Sequence, residues 1–299
     1  MKNILSYYYD INIDDIKFIN DNKCFFYIDY QEFYFVKYKR PINDLFEIYN
    51  IISSYKNNYH IIVKNKFGYI YTCYNKENYV LLKINSAPHA ETTLIDVMKY
   101  SKSVQNAKVL DRTSWANLWS LKIDYIEYQV LERANEYKII NDTIDYYIGI
   151  AENAVSYFNT IDITNQKTNV SSKRIFFPNI NLNYYNPLNI VVDYKARNIA
   201  EYIKSAFFEG YDIKKEIISI LSSNYLNSID YNLIFVRLLY PSYYFDIIKS
   251  VIEEKESEES IIKYVDKAGD YEQFLNWFYC QVSKKYSLTK IDWLIKKEL

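Results

Sequence analysis

The hydrophobic period changes once along this chain, near Ala87-Pro88, and that change limits what it can fold into. Before it, short runs of aromatic and β-branched residues alternate with Asn, Asp and Lys clusters, the pattern of strands separated by turns. Cys24 to Tyr30 and Phe33 to Tyr38 read as a hairpin. Tyr59 to Lys64, Tyr69 to Tyr74 and Tyr79 to Ile84 read as a meander joined by NKFG and NKEN turns. Between these sets, Leu45, Ile48, Ile51, Ile52 and Tyr55 recur at helical spacing behind Pro41 and Asn43, which predicts a helix over Ile42 to Tyr55. Beyond the change, Leu118, Leu121, Tyr125 and Tyr128 track one helical stripe and Ile144, Ile148, Ala151 and Val155 another. Helical stripes resume at Ile199, Ile203 and Phe207, stop at Gly210, and continue through 213–223, 230–239, 242–253, 257–267, 270–284 and 290–297. The expected class is α+β, with a sheet plus one helix over 1–86 and a mainly helical part over 87–299. Within the second part, residues 159–193 form an Asn-rich, Pro-containing irregular loop, long enough to carry function rather than merely connect.

At 299 residues the chain can bury a large core, as one domain or as two lobes of about 100 and about 200 residues. Its 36 basic and 37 acidic side chains cancel, which removes the electrostatic footprint of a general nucleic-acid binder. Thirty-five Tyr and 16 Phe supply much of the apolar share, and tyrosine serves core and surface alike through its apolar ring and polar tip. We attribute the surplus of Tyr, Asn, Ile and Lys to AT-rich coding. Cys24, Cys73 and Cys280 are an odd number without a C-x-x-C pair, so free thiols in a reducing cytosol are expected rather than disulfides or a zinc cluster. The start, MKNILSYYYDINIDD, turns acidic without the apolar run of a secretory signal. No stretch reaches the roughly 18 apolar residues of a membrane span, so cytoplasmic synthesis is expected.

Two common chemistries lack their parts. The histidines are His60 and His89, with no G-x-S-x-G elbow and no H-E-x-x-H helix to make either a hydrolase base or a metal ligand. Gly68, Gly149, Gly210 and Gly269 lie too far apart for a phosphate-wrapping glycine loop.

Strand pair, helix, three strands and a large helical half with one irregular loop is nevertheless the order of protein kinases and aminoglycoside phosphotransferases. In that order Lys37 closes the strand FYFVK, where the kinase lysine steadies nucleotide phosphates, and Glu47 lies on the next helix, where its partner carboxylate sits. Longer strings carry a more specific likeness: WSLKIDYIEYQVLE (119–132), DYYIGIAENAVSYFN (145–159), NPLNIVVDYKARNIAEYIKSAFF (186–208), RLLYPSYYFDII (237–248) and the closing YEQFLNWFY and KIDWLIKK segments. Over roughly residues 25 to 297 the chain resembles the YutH-type spore coat proteins of Firmicutes, relatives of the CotS group within the kinase-like phosphotransferase superfamily.

That resemblance implies a site and its defects. The superfamily loop H-G-D-x-x-x-x-N falls on Ser172-Lys173-Arg174 and Asn179, and the metal-binding Asp that follows falls on Asp193 in NIVVD. Asn179 and Asp193 are the implied oxygen ligands for Mg²⁺, with Lys37 and Glu47 on the nucleotide. Ser172 replaces the loop histidine, and Arg174 replaces the carboxylate that would position the attacking hydroxyl. A guanidinium has donors only and stays charged, so it cannot take that proton. Asn198 stands where the superfamily has Asp. Aligning Asn186-Pro187-Leu188-Asn189 with the loop instead puts Tyr184 at the base position, which also loses the carboxylate.

The resemblance therefore implies a non-catalytic kinase-fold protein of the spore coat, with other spore proteins as partners. Two alternatives stay open. One is an atypical ATP- and Mg-dependent phosphotransferase recruiting a carboxylate such as Asp162 or Asp145; the other is a regulator that binds nucleotide without turnover.

Overall fold

Two tight turns set the register of the first half. Asp29-Tyr30 and Asn75-Lys76 all have positive φ, between 48° and 64°. That combination is the turn whose twist matches that of the flanking strands, and Asp and Asn pay the least for it after glycine. The computed structural model describes residues 1–13, 15–54, 59–85, 92–99, 102–104, 108–133, 136–177 and 180–295. His89, Asn179, Tyr55 and the Ala87-Pro88 boundary therefore lie outside the described residues.

The chain divides into two units. The first comprises residues 1–91 together with 107–110 and 179–190. It holds α1 (Lys2–Tyr9), β1 (Lys17–Asn20), β2 (Lys23–Ile28), β3 (Gln31–Tyr38), α2 (Ile42–Ser53), β4 (Ile61–Val63), β5 (Thr72–Tyr74) and β6 (Glu77–Lys83). The sheet runs β1-β2-β3-β6-β4 with β5 also on β6, every pairing antiparallel. The hairpin and α2 lie where the periodicity places them. The expected strand from Tyr69 shortens to β5 because Asn65 substitutes for a partner strand: its Oδ1 accepts from the amides of Phe67 and Tyr69, and its Nδ2 donates to Tyr71 O.

The expectation of one helix before residue 87 misses α1, a second one. Lys2–Tyr9 has no side-chain cap and a run of three tyrosines, so local propensity says little. Tertiary packing decides it. Ile4 and Leu5 join Cys24, Phe26, Phe35 and Leu81 in one buried cluster on one face of the sheet. Asp10 then ends the helix in the left-handed region, and its amide bonds back to Ser6 O. The opposite face of the sheet, with Tyr34, Ile62, Val80 and Leu82, is buried as well.

The second unit holds α3 (Leu94–Lys99), α4 (Trp115–Glu132), α5 (Lys138–Phe158) and β7 (Thr168–Ser172). After α6 (Ile180–Tyr184), which belongs with the sheet unit, come β8 (Ile190–Tyr194) and α7 (Ala196–Phe208). α8 (Lys214–Ser222), α9 (Ser228–Leu239), α10 (Ser242–Ile252), α11 (Ile262–Val265), α12 (Ala268–Ser283) and α13 (Asp292–Ile295) follow. The loop expected over 159–193 is more ordered than its composition suggests, because β7 pairs with β8 inside it. α7 is the hub: its residues from Ala196 to Ala206 are all buried.

On α4 the periodicity is right and its direction is not. The helix buries Trp115, Trp119, Ile123, Ile126 and Val130, while Leu118, Leu121, Tyr125 and Tyr128 lie on its exposed side. Both stripes have helical spacing, and the aromatic bulk of Trp115 and Trp119, stacked at 5.1 Å, claims the inside. Among the described residues no helix is long and apolar enough to cross a membrane.

Candidate functional site

A helix buried on all sides must satisfy every charge it carries, and α7 carries three. Arg197, Glu201 and Lys204 are all buried, with Asn198 and Ser205 between and beside them. Each one is answered from outside the helix. Arg197 Nη1 donates to Asp193 Oδ2 at 2.6 Å, its Nε to Ser172 O at 3.0 Å and its Nη2 to Lys173 O at 3.0 Å. Asn198 Oδ1 accepts from the Ser172 amide at 2.7 Å, so the pair Arg197-Asn198 fixes the backbone at the end of β7. Lys204 Nζ donates to Arg237 O at 2.8 Å, Tyr240 O at 2.7 Å and Ser242 Oγ at 3.4 Å.

Asp193 is fully buried, and its carboxylate is occupied on both oxygens. Trp115 Nε1 donates at 2.9 Å and 3.0 Å, the Tyr194 amide reaches Oδ1 at 2.7 Å, and Arg197 holds Oδ2. Burial pushes the Asp193 carboxyl up, against the pull of Arg197 and Arg237, and pushes Arg197 down to about 10. Short, nearly saturated hydrogen bonding holds the ion pair against that desolvation.

Arg174, placed by the loop alignment at the base position, closes a second pair. Its Nε and Nη2 both reach Asp246 Oδ2, at 2.8 Å and 2.7 Å, and its Nη1 lies 3.3 Å from Glu201 Oε1. Glu201 Oε1 also accepts from Arg237 Nε and Nη2, at 3.1 Å and 2.8 Å. Burial raises the Glu201 carboxyl, but Arg174, Arg237, Arg197 and Lys204 outweigh it and hold it at about 2. For Arg174, burial pulls downward and Asp246 and Glu201 pull upward, with a net rise. Arg174 is therefore a permanent cation wedged between two carboxylates. Arg237 lies 5.2 Å from the Trp115 ring centroid and 5.7 Å from that of Trp119, which joins this pair to the Asp193 pair.

In the sheet unit, the residues expected to serve a nucleotide have other partners. Lys37 Nζ is 2.9 Å from Glu77 Oε1, and Glu47 Oε2 accepts from the Val109 amide at 3.1 Å. No ion pair joins Lys37 to Glu47 among the described residues. The register explains it, because Lys37 shares its sheet face with Phe33 and Phe35, the face that α1 covers. Arg40 donates to Ile190 O at 2.8 Å and to Asp44 at 2.9 Å. His60 is buried, with Nδ1 accepting from the Asn85 amide at 3.2 Å and Nε2 at 3.3 Å from Leu182 O. Those bonds assign the Nε2–H tautomer, and burial lowers its pKa to about 4. His60 is a neutral structural pin.

Of the residues singled out in the sequence, Ser172 and Asp193 come together around Arg197, and Arg174 joins the same group through Glu201 and Arg237. Asn179 lies outside the described residues, and among the described residues no cluster of His, Cys, Asp and Glu is suited to a metal ion. Asp162 caps its own turn through Thr164, and Asp145 is exposed on α5. Sequence reading missed Arg197, Glu201, Arg237 and Asp246. One signal was present: Asp193, Arg197 and Glu201 recur every fourth residue in charges that alternate in sign.

Comparison with known proteins gives a consistent picture. A family model described as "Spore coat putative kinase YutH" matches residues 2–278. The endospore coat-associated protein YutH of Bacillus subtilis is 26% identical over 211 residues, which is 61% of this chain and 61% of that protein, so the match spans less than two thirds of the relative's length. An aminoglycoside phosphotransferase from Alicyclobacillus acidocaldarius superposes with a TM-score of 0.61 at 11% identity, covering 95% of this chain and 97% of that one. A spectinomycin phosphotransferase solved with ADP and spectinomycin gives 0.58 at 12% identity, covering 89% and 92%. An amicoumacin kinase solved in complex with AMP-PNP, Ca²⁺ and Ami gives 0.57 at 10% identity, covering 95% and 92%. At these identities the likeness establishes the fold alone: an antiparallel sheet unit and a mostly helical one, as in the aminoglycoside phosphotransferases.

Proposed function

This chain belongs to the YutH spore coat family of kinase-like proteins, and on that premise we propose that it acts by binding and assembly in the spore coat rather than by phosphoryl transfer. One observation carries the reading: Arg197 holds Asp193 where the superfamily pattern would place a divalent cation. A buried carboxylate saturated by an arginine, an indole N–H and a backbone amide does not fit a resident Mg²⁺, which demands open oxygen ligands in near-octahedral array. Arg174 supports it from the other side. The aligned base position is a donor-only cation engaged by Asp246 and Glu201, so it neither accepts a proton nor orients a hydroxyl.

The partners in this reading are other coat proteins. Support comes from the surface: Leu121, Tyr128 and Leu131 on α4 are 58–78% exposed, a rigid aliphatic and aromatic stripe of the type that makes contact area at low entropic cost. Incubating the protein with ATP and Mg²⁺ and following ADP formation tests the proposal. ADP should form no faster than in the protein-free control. Steady turnover that Asp193→Ala abolishes would overturn it.

A further inference from the structure

A surface helix ordinarily has one apolar face, and α4 has two. Its inner stripe is the buried one that carries Trp115 and Trp119, whereas Leu118, Leu121, Tyr125, Tyr128 and Leu131 on the other side are 36–78% exposed. A helix apolar on both sides is ordinarily covered on both. The outer stripe also has a specific spacing. Leu118, Leu121, Tyr125 and Tyr128 follow one another by three, four and three residues, the heptad spacing of a coiled-coil seam. The occupant that such a seam fits is a helix laid along α4.

Charge and area say which helix. At 3.6 residues per turn, Lys122 and Gln129 flank one edge of the stripe, and Asp124 and Glu127 flank the other. A partner helix must bring an acidic edge to the first and a basic edge to the second, and α4 of a second copy carries both. With the two helices parallel about a two-fold axis, each copy's acidic edge meets the other's basic edge; antiparallel packing would set acid against acid. The area agrees. At about 200 Å² for a side chain of this size, the five exposed residues offer on the order of 500 Å² per copy. Two copies then bury about 1,000 Å², the lower bound of a specific interface. Glu132, at the next seam position, would set like charges together, so the seam ends at Tyr128.

We propose that a second copy of this chain docks on the outer face of α4, the two helices running parallel across a two-fold axis with Leu118, Leu121, Tyr125 and Tyr128 as the seam. The inference rests on the binding-and-assembly reading above and names the chain itself as the partner at this surface. An area at the lower bound makes the dimer reversible, with a dissociation constant on the order of micromolar. Pairing presents every other binding surface of the protein twice, so a partner with repeated sites is held by both copies at once.

The test is sedimentation velocity of the full chain from about 1 to about 200 µM, over which monomer should give way to dimer. The double substitution Leu121→Lys with Tyr128→Lys should weaken association about tenfold or more. Asp124→Lys and Lys122→Glu should each weaken it about fivefold, and an equimolar mixture of those two variants should recover the dimer, because an all-basic stripe then meets an all-acidic one. Unchanged thermal unfolding of each variant shows that the fold is intact; if Lys122→Glu unfolds, the other two variants still decide. A monomer at every concentration overturns the proposal, as does a dimer that survives the Leu121 and Tyr128 change or is as tight in Asp124→Lys as in the wild type. The two readings fail separately: ATP turnover would sink the assembly reading with the dimer intact, and a monomer would sink the dimer with the absence of turnover intact.

Discussion

Arg197 Nη1 sits 2.6 Å from Asp193 Oδ2, one helical turn along the chain, and both side chains are buried. The pair fixes the junction of β8 and α7, and Arg197 extends it to the end of β7 through the carbonyls of Ser172 and Lys173. Removing either partner alone leaves the other buried charge without its hydrogen-bonded counterion.

Arg197→Met should therefore lower stability by about 3–5 kcal/mol, and combining it with Asp193→Leu should restore most of the loss. Urea unfolding of the two single variants and the double variant measures the coupling. A single-variant loss below about 1 kcal/mol would show that Asp193 is not dependent on Arg197.

Arg174→Asp puts back the carboxylate that the superfamily loop carries, and the expectation is still no ADP formation. It places a third acid beside Glu201 and Asp246 and removes the cation they share, at a cost of about 3 kcal/mol or more. Thermal unfolding and an ADP assay on the same preparation check both halves. Turnover appearing in this variant would contradict the reading of the loop.

Acid should act on the two units in separate windows. His60 folds as the neutral ring with its pKa lowered to about 4 from 6.5, so its contribution is complete above pH 6.5 and is lost as the pH falls toward 4. The full difference corresponds to about 3 kcal/mol. The second proton must go to Nδ1, which faces the Asn85 amide donor. Glu201, held at about 2 against an ordinary 4.5, stabilises the fold above pH 4.5 and loses its effect only as the pH approaches 2. Stability measured by urea unfolding from pH 8 to 4 should decline in the wild type and flatten between 6.5 and 4 in His60→Gln. An identical slope in the two proteins would remove His60 from the explanation.

The amide of Val109 should exchange faster in Glu47→Ala, because Glu47 Oε2 is its acceptor. Lys37→Met should leave that amide unchanged, since Lys37 pairs with Glu77. Hydrogen exchange at Val109 distinguishes this arrangement from a Lys37–Glu47 pair, in which both substitutions would register.

How much of this was readable in advance follows from the range of each interaction. The hairpin β2-β3 and the helix α2 are encoded locally, by alternation, turn residues and helical spacing, and they stand where the sequence puts them. α1 is not, because Ile4 and Leu5 become a helix face only once Phe35 and Leu81 are there to meet them. α4 displays two apolar stripes, and nothing local tells which one the tryptophans will turn inward. The site divides in the same way. The lost carboxylate at Arg174 and the survival of Asp193 could be read from motif positions, but the partners Arg237 and Asp246 lie 36 residues or more from the groups they bind. Lys37 and Glu47 look like a pair in the sequence because a strand and the next helix are adjacent in order. The pleat parity that sends Lys37 to the α1 face became visible only with the strand register.

Thermal unfolding with and without ATP and Mg²⁺ tests the central claim most directly. A ligand present at 100 times its dissociation constant would stabilise the folded state by about 2.7 kcal/mol, a rise of several degrees in Tm for a protein of this size. With Arg197 holding Asp193, the two unfolding curves should coincide. A Mg-dependent rise of several degrees that Asp193→Ala removes would contradict the claim.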